Sequence, residues 1–346
     1  MQERLKAKPT IRIIAEVVGV SQSTVSRALA GSEAISEETR LRVHEAARRL
    51  HYPKIGQGRR PTRMIGVVVS ALNNSFYVNF LDYLHDALRD LSFHMTLIID
   101  SLLTVEDVTA FQPIIDNVLD GMIFTTATID SEVVPTLSRR NFPIVLAVRS
   151  VDGLEIDKVV LDDFRVGETA ARHLYELGHR RIGFMMGPRN VSTSRDRFAG
   201  ALRYLETAGA PPLEEFCVWG SYTHASGYSG ALQMLERPEG RPTAIIAGND
   251  TVALGVLEAT HRLGLHVPRD ISVVGCDDIP MAESAFIGLT TVRPPIEEMA
   301  RIVARRVVDR VSDPTGPVHT DILPISLVRR ATTGPALPGG YVPAFR

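Results

Sequence analysis

The residues from Gly19 to Leu29 constrain the fold more than any other stretch, because they predict a tight turn followed by a short amphipathic helix. A first helix is predicted before them, with Thr10 as its N-cap and apolar side chains spaced at i, i+3, i+4 and i+7. These side chains are Ile11, Ile14, Ala15 and Val18. Gly19 can adopt the positive φ that ends such a helix. The stretch therefore predicts a helix-turn-helix.

The second helix of this motif has an apolar side and a polar side. The side chains predicted to pack inward are Val20, Val25, Ala28 and Leu29. Those predicted to face outward are Gln22, Ser23, Thr24, Ser26 and Arg27. Each outward side chain is an uncharged hydrogen-bonding group or a cation, so none would repel a phosphate. A helical hairpin with no role in nucleic-acid binding fits the same pattern, and the motif alone leaves both readings open.

A third amphipathic segment, residues 36–50, favours a small three-helix core. It begins with Ser36 as a cap and with Glu37 and Glu38 in its first turn. It ends with Arg48 and Arg49, so the charges at both ends suit the helix dipole. The apolar side is predicted to contain Leu41, Val43, Ala46, Ala47 and Leu50.

The charge of the chain is distributed unevenly. Residues 1–63 contain 13 Lys and Arg against 6 Glu and no Asp, a formal charge of +7. Because the net charge of all 346 residues is −2, the rest of the chain carries −9. A basic first part attached to an acidic body predicts a polyanionic partner at one end only.

The remaining composition is typical of a globular protein of two or three domains. No apolar run reaches membrane-spanning length, and the N-terminal residues lack the apolar segment of a secretory signal. Cys217 and Cys276 are far apart and lie beside apolar neighbours, which predicts two buried free thiols. We therefore expect a cytoplasmic protein that has no membrane partner.

From Met64 onward, short apolar runs alternate with longer amphipathic segments. Runs that are apolar along their whole length are typical of parallel strands buried on both faces. The predicted strands are residues 65–69, 95–99, 121–124, 144–147, 182–186, 244–247 and 272–275. They are too many for one sheet, so the sequence predicts a two-lobed, doubly wound α/β core. Ligands of such sheets bind beyond the carboxyl ends of the strands, here in a cleft between the lobes.

The loops at those strand ends contain polar groups but no catalytic set. Arg195 and Arg197 begin a helix, where they oppose its dipole unless a ligand or an Asp faces them. Asp250 and Asp278 follow strands, and for each of them a role as a helix cap is the alternative to a role in ligand binding. The histidines are scattered, and no His or Cys spacing suits a metal. The sequence thus predicts neither an enzyme nor a cofactor, although an enzyme and a transport binding protein are the two rival classes for this fold.

The first 52 residues resemble the DNA-binding headpiece of LacI/GalR-type transcriptional regulators. The similarity runs from Thr10 through Gly19-Val20-Ser21 and Thr24-Val25-Ser26-Arg27 to Ser36–Arg40 and Tyr52. It implies that Gln22, Ser23 and Arg27 contact base edges and that Thr10, Thr24 and Ser26 hold phosphates, with Ser21 also among the DNA-binding residues. It also implies a homodimer bound to a near-palindromic DNA operator.

Residues 53–63 are predicted to be a linker, because they are rich in Pro, Gly and positive charge. In the family that this chain resembles, a hinge helix with an Ala-Arg-x-Leu motif inserts leucines into the minor groove. That motif is absent here, and Gly56, Gly58 and Pro61 disfavour a helix. Arg59 and Arg60 could still enter a narrow minor groove or contact phosphates.

The core is also similar to this family, whose regulatory domain is shaped like a periplasmic sugar-binding protein and opens or closes on a small effector. The matching segments are residues 173–183, 197–200, 249–255, 274–278 and 289–292. The resemblance implies an effector site made of Phe76, Arg197, Tyr222, Asn249 and Asp277. Val148 and Pro294 stand where many members have Asp and Gln, so a standard hexose is not expected.

The predicted organisation follows from these patterns. It comprises a headpiece (1–52), the linker (53–63), a first lobe (64–164 and 293–320), a second lobe (165–292 and 321–334) and a tail (335–346). The tail has Pro and Gly and no heptads, so a dimer is expected rather than a tetramer. The expected function is a ligand-responsive, DNA-binding regulator of transcription and specifically a repressor.

Overall fold

The structure is a computed structural model that describes residues 10–29, 32, 34–50, 61–70, 72, 74–99, 112, 114–236 and 240–337. The chain divides into two compact units, residues 1–62 and 63–346. The first unit contains the headpiece, and the second contains both lobes of the core.

The headpiece consists of three helices around one small core. Their bounds are α1 Ile11–Val18, α2 Gln22–Leu29 and α3 Glu37–Arg49. Thr10 caps α1 by accepting a bond from the Ile13 amide, and Gly19 ends it with φ 75°. Both predicted features are therefore confirmed. In α3, Val43, Ala46 and Ala47 are buried, but Leu41 is 62% exposed, so the prediction of an inward Leu41 is wrong.

The core alternates strands and helices along most of its length. Its helices are α4 Ser75–Asp90, α5 Val133–Arg139, α6 Asp163–Glu176, α7 Ser192–Thr207, α8 His224–Leu235, α9 Asp250–Arg262, α10 Pro280–Glu283 and α11 Ile296–Ser312. Short helical turns occur at 114–117 and Glu214–Phe216. The strands are β1 Met64–Val69, β2 His94–Ile99, β3 Gly121–Phe124, β4 Ile144–Ala147, β5 Lys158–Leu161, β6 Ile182–Met186, β7 Cys217–Trp219, β8 Ala244–Ala247, β9 Ser272–Cys276, β10 Thr290–Arg293, β11 Thr320–Leu323 and β12 Ser326–Val328.

The strands form two sheets of six, one in each lobe. The first has the order β11-β5-β4-β3-β1-β2 and the second has the order β12-β10-β9-β8-β6-β7. All pairs in the first sheet are parallel, and in the second sheet only β12 pairs antiparallel, with β10. The two-lobed, doubly wound α/β core is thus confirmed. The first sheet contains β11, so the chain enters the second sheet for the last time after Leu323, whereas the sequence analysis placed that crossing at 320/321.

The central strands are buried on both faces, as their apolar sequences predict. Strands β3, β4 and β9 contain only buried residues. Strand β2 differs because it is the edge of its sheet and Ile99 is 59% exposed. Cys217 is a partly buried free thiol and Cys276 a fully buried one.

Glycines allow the helices beside the second sheet to pack closely. A Cβ at Gly167 of α6 would lie 1.7 Å from the Arg197 carbonyl oxygen, and one at Gly200 of α7 would lie 1.9 Å from that of Phe164. Because no side chain fits in such a contact, α6 and α7 lie backbone to backbone. This packing fixes Arg197 close to the start of α6. None of the helices in the described ranges is long and apolar enough to cross a bilayer.

Candidate functional site

The outer side of α2 is an exposed polar surface. Gln22, Ser23, Ser26 and Arg27 are exposed, whereas Thr24 is half-buried. The opposite side, made of Val25, Ala28 and Leu29, is buried. This division agrees with the predicted orientation of the helix. It leaves neutral donors, acceptors and one guanidinium available to a polyanion.

The N-terminus of α2 is organised by hydroxyl groups. Ser21 Oγ accepts a bond from the Thr24 amide at 3.0 Å, which caps the helix. The same oxygen lies 2.8 Å from the hydroxyls of both Ser23 and Thr24. Ser21 therefore orients its neighbours at the positive end of the helix dipole, where an anion is favoured.

The turn before α2 is held by a contact from the third helix. The Arg42 guanidinium donates to the Val18 carbonyl at 2.9 Å, which satisfies one of the last acceptors of α1. Together with the left-handed Gly19, this bond fixes the direction in which α2 leaves the turn. Arg59 and Arg60, the linker residues predicted to contact DNA, lie outside the described residues.

In the core, the most prominent polar group is a buried ion pair. Arg197 Nε donates to Asp163 Oδ1 at 2.7 Å, and both side chains are 7% exposed. Arg197 Nη1 donates to the Gly248 carbonyl at 2.7 Å. Desolvation by itself would lower the pKa of Arg197, but surrounding negative charges leave that pKa well above its ordinary value. Arg197 is consequently a fixed cation between α6 and the end of β8.

Asp277 lies beside this pair at the end of β9. Its Oδ1 is 3.7 Å from Arg197 Nη1, too far for a hydrogen bond, and its side chain is 7% exposed. Burial raises the pKa of Asp277 to about 8, although Arg197 opposes the rise. Burial likewise raises the pKa of Asp163, and it raises that of Asp250 to about 6. Asp163 and Asp277 thus share one guanidinium, whereas the cation that lowers the pKa of Asp250 is Arg330.

Asp277→Asn is expected to stabilise the core more at pH 8.5 than at pH 5.5. A carboxyl group whose pKa is raised on folding holds its proton more tightly in the folded state. The stability that protonated Asp277 gives the folded state is therefore fully present below the unfolded pKa near 4. It is lost as pH rises toward 8, whereas asparagine stays neutral throughout. We expect a difference of more than about 1 kcal/mol between the two pH values in urea unfolding. Asp270→Asn is the control, because the pKa of Asp270 is lowered; an equal pH response in both variants would contradict the prediction.

Tyr222 completes a polar group with two hydroxyls of α7. Its hydroxyl accepts a bond from Ser194 at 2.7 Å and lies 3.0 Å from that of Thr193. A Cβ at Gly187 would lie 2.5 Å from the Tyr222 ring, so glycine at this position lets the ring lie against the end of β6. The ring borders the same strand ends as Arg197.

The structure brings together three of the five residues predicted for the effector site: Arg197, Tyr222 and Asp277. Asn249 is adjacent, but its amide oxygen accepts a bond from the Val252 amide at 2.9 Å and caps α9. Phe76 lies in the first lobe, is 3% exposed and packs edge-on against Tyr77. Its environment is that of a core side chain.

Asp163 is a site residue that the sequence analysis missed. It is the second residue after β5, at the carboxyl end of a parallel strand. The rule that drew attention to Asp250 and Asp278 would have identified it, but β5 itself was not predicted. Asp250 is not a simple cap either, because it accepts bonds from the Thr291 hydroxyl and the Ile279 amide.

Three contacts join the lobes beside this site. The Ile129 amide donates to the Asn190 carbonyl and the Ser150 amide to Ser192 Oγ, each at 3.0 Å. Arg195 pairs with Asp152 of the first lobe. Arg195 and Arg197 therefore each face an Asp, which explains how two cations are accommodated in the first two turns of α7.

A cavity of about 430 Å³ opens on the other side of Asp277. Asn79 and Tyr83 of α4 form one wall, and residues following β9 and β10 form another. Asp278 in this wall pairs with Arg293 and Arg330. The space between the lobes is thus bridged at the loops after β3, β4 and β6 and open beside α4.

Two family models match this chain. One describes bacterial regulatory proteins of the lacI family and matches residues 10–54, and the other describes a periplasmic binding protein-like domain and matches residues 171–333. The HTH-type transcriptional regulator DegA of Bacillus subtilis (strain 168) is 31% identical over 336 residues, which cover 95% of this chain and 99% of that protein.

Two solved structures are similar over almost the whole chain. A structure of the transcriptional regulator CelR in complex with cellobiose has a TM-score of 0.73 and 29% identity, covering 94% of this chain and 99% of that one. The lac repressor dimer bound to operator and the anti-inducer ONPF has a TM-score of 0.70 and 26% identity, covering 95% of this chain and 100% of that one.

Proposed function

This chain belongs to the LacI family of bacterial regulators, and we propose that it is a repressor whose operator affinity is controlled by a small effector bound between the lobes of its core. The observation that carries this proposal is the exposed hydroxyl, amide and guanidinium surface of α2, presented by a capped helix-turn-helix. A transport protein or an enzyme of the same core fold would have no use for such a helix. The operator lies in the cytoplasm, and we assign the protein to that compartment.

On DNA, α2 lies in the major groove of a half-site. Gln22, Ser23 and Arg27 contact base edges, and Thr10, Thr24 and Ser26 hold phosphates. Ser21 belongs to this surface through its bonds to Ser23 and Thr24. Arg59 and Arg60 add contacts from the linker to phosphates or the minor groove.

The repressor acts as a homodimer on a near-palindromic operator, as the lac repressor dimer does on its own operator. The core offers an apolar surface for the second copy. Met281 is 54% exposed and Phe286 is fully exposed, both in the segment between β9 and β10. A phenylalanine left in water is disfavoured, and burial against a partner subunit removes that cost.

Phe286→Asp is expected to shift the protein from dimer to monomer and to lower operator affinity at least tenfold. A carboxylate facing its symmetry mate adds repulsion as well as removing buried apolar area. Sedimentation velocity at micromolar concentration measures the first effect and fluorescence anisotropy with operator DNA the second. Leu213→Asp is the matched control, because Leu213 is 52% exposed in a different segment of the second lobe. A dimer that persists in Phe286→Asp would show that this surface is not the interface.

The effector site is formed by Arg197, Asp277 and Tyr222, with Asn249 beside them and Phe76 on the facing lobe. The similar CelR structure contains cellobiose, which supports a small hydroxylated ligand in this cleft. Carboxyl and guanidinium groups suit the hydroxyls of such a ligand. The effector alters operator affinity because it binds one arrangement of the lobes better than another. We assign no catalytic step to this cleft.

The proposal is tested by selecting operators from random DNA duplexes with the full chain. We expect one enriched sequence with two inverted half-sites whose centres lie about one or two helical turns apart. A chain of residues 63–346, which is a compact unit, serves as the control and should enrich nothing. Failure of the full chain to enrich any sequence, or equal enrichment by residues 63–346, would overturn the proposed function.

A further inference from the structure

We propose that the effector carries an anionic group, a carboxylate or a phosphate, and that Arg149 of the first lobe binds it. This inference rests on the proposed function, because it names the chemical class of ligand for the same cleft. It adds Arg149, which neither the sequence analysis nor the three-residue group of Arg197, Tyr222 and Asp277 includes.

Arg149 has hydrogen-bonding capacity that the protein does not use. Its Nη1 donates to the Thr126 carbonyl at 3.1 Å. Its Nε is buried and has no hydrogen-bond partner. In the described parts of the chain, no carboxylate pairs with this guanidinium. A buried donor without an acceptor costs free energy, so a group that fills this position is expected.

The unused atoms have the geometry of an anion receptor. When Nη1 is engaged, Nε and Nη2 remain as the parallel pair of donors on the side of the guanidinium. This fork matches the two oxygens of a carboxylate or phosphate, and a neutral hydroxyl can occupy only half of it.

Arg149 lies at the edge of the first sheet that faces the second lobe, next to Ser150, whose amide donates across to Ser192 Oγ. Arg149 is the second residue after β4, and the carbonyl that it contacts belongs to the second residue after β3. The ends of these parallel strands lie on the same edge of the first sheet. Burial raises the pKa of Tyr222 and the charges of Arg197 and Arg149 oppose that rise, which puts Arg149 within electrostatic range of the second lobe.

Backbone strain holds Arg149 in this position. Val148 has φ 72°, and the Arg149 amide donates to the Ala147 carbonyl at 2.8 Å across it. These values describe a γ-turn with positive φ at its central residue. This conformation is strained, and it is strongly disfavoured for a β-branched residue such as valine. Val148 is also buried, at 6% exposed. It stands at a position where many family members have an acidic residue, and it supplies no carboxylate to neutralise Arg149. Strain of this kind persists where the fold orients a functional group.

The other arginines named around the cleft are already paired with carboxylates. Arg197 is matched by Asp163, and Arg195 by Asp152 and Asp196. Asp278 on the cavity side is matched by Arg293 and Arg330. Among the arginines named here, Arg149 is therefore the one that has no paired carboxylate in the described residues.

The test uses the full chain and sugars that share a ring and differ in the group at C6: glucose, glucuronate and glucose 6-phosphate, with galactose and galacturonate as a second set. We expect thermal protection by at least one acid and an affinity at least about tenfold tighter than that of its neutral parent. Arg149→Met should abolish the difference between acid and parent, and Arg149→Lys should restore part of it. Comparison of glucuronate with glucose 6-phosphate shows whether the site binds a carboxylate or a phosphate. Protection by the neutral sugars alone, or by no acid of the set, would overturn the proposal.

A second measurement needs no ligand. If Arg149 serves to bind an anion, Arg149→Met should raise the Tm of the ligand-free chain by about 2 °C or more. The substitution removes a charge that is desolvated and unpaired when no ligand is bound. A purely structural Arg149 would give a lower Tm. Arg139→Met, at an exposed arginine of α5, is the matched control and should leave the Tm unchanged. Operator binding by the ligand-free chain is measured in parallel, so failure of the anion proposal is distinguishable from failure of the proposed function.

Discussion

Replacing Arg197 with methionine is expected to lower the free energy of unfolding of the core by about 4 kcal/mol and to abolish the response to effector. The variant removes the one guanidinium that Asp163 and Asp277 share and leaves both carboxyl groups buried without a cation. Removing one partner of a buried pair costs far more than the pair contributes, because the remaining charge stays desolvated. The Gly248 carbonyl also loses its donor.

Urea unfolding of the full chain, followed by circular dichroism, measures this loss. Arg165→Met is the matched control, because Arg165 also pairs with an Asp but is 74% exposed. Exposed pairs contribute at most about 1 kcal/mol, so the control should remain close to the native chain. Equal losses in the two variants would mean that the Arg197 cluster contributes no more than a surface ion pair.

A double variant separates charge from packing in the same cluster. Adding Asp163→Asn to Arg197→Met removes one of the stranded carboxylates, so the pair of substitutions should cost less than Arg197→Met alone. Such non-additivity is expected only of residues that interact directly.

The sequence revealed the strands at the centre of each sheet, but it missed β5 and β10 beside them and three of the four edge strands. Strands β3, β4 and β9 are continuous apolar runs because helices cover both faces of their sheets. The missed β7 and β12 have three residues each, and β11 contains an exposed Thr320. Edge strands are defined by their pairing with distant segments, such as β11 with β5, and that pairing leaves little trace in local sequence.

For the candidate site as well, the sequence predicted some residues and missed others. Arg197, Tyr222 and Asp277 could be assigned by resemblance, because Arg197 and Asp277 stand in segments that match the family and Tyr222 falls where the family has an aromatic side chain. The burial of Phe76 depends on tertiary contacts that the resemblance does not encode. The cap made by Asn249 is instead a local bond to the amide of Val252, which the rules of helix capping could have predicted. Arg149 became apparent only through an unsatisfied nitrogen and the left-handed φ of Val148, which are properties of the folded backbone.

Arg27→Ala is expected to lower operator affinity about 100-fold and to relax the base preference at one position of each half-site. Arg27 is exposed in the last turn of α2 and forms no side-chain hydrogen bond or ion pair with the residues that the structure describes, so its removal should leave the headpiece folded. A guanidinium that contacts a base edge contributes about 1–3 kcal/mol of discrimination. The homodimer makes that contact twice, which brings the expected loss to about two orders of magnitude.

Anisotropy titrations with the selected operator and with its single-base variants distinguish this role from a phosphate contact. Loss of a base contact flattens the preference at one position, whereas loss of a phosphate contact weakens binding to all sequences by the same factor and reduces the salt dependence. Arg12→Ala is the matched control, because Arg12 is an exposed helical arginine of the same headpiece that pairs with Glu16 instead. If Arg27→Ala weakened every duplex equally and kept the base preference, Arg27 would be a phosphate contact, and specificity would have to come from Gln22 and Ser23.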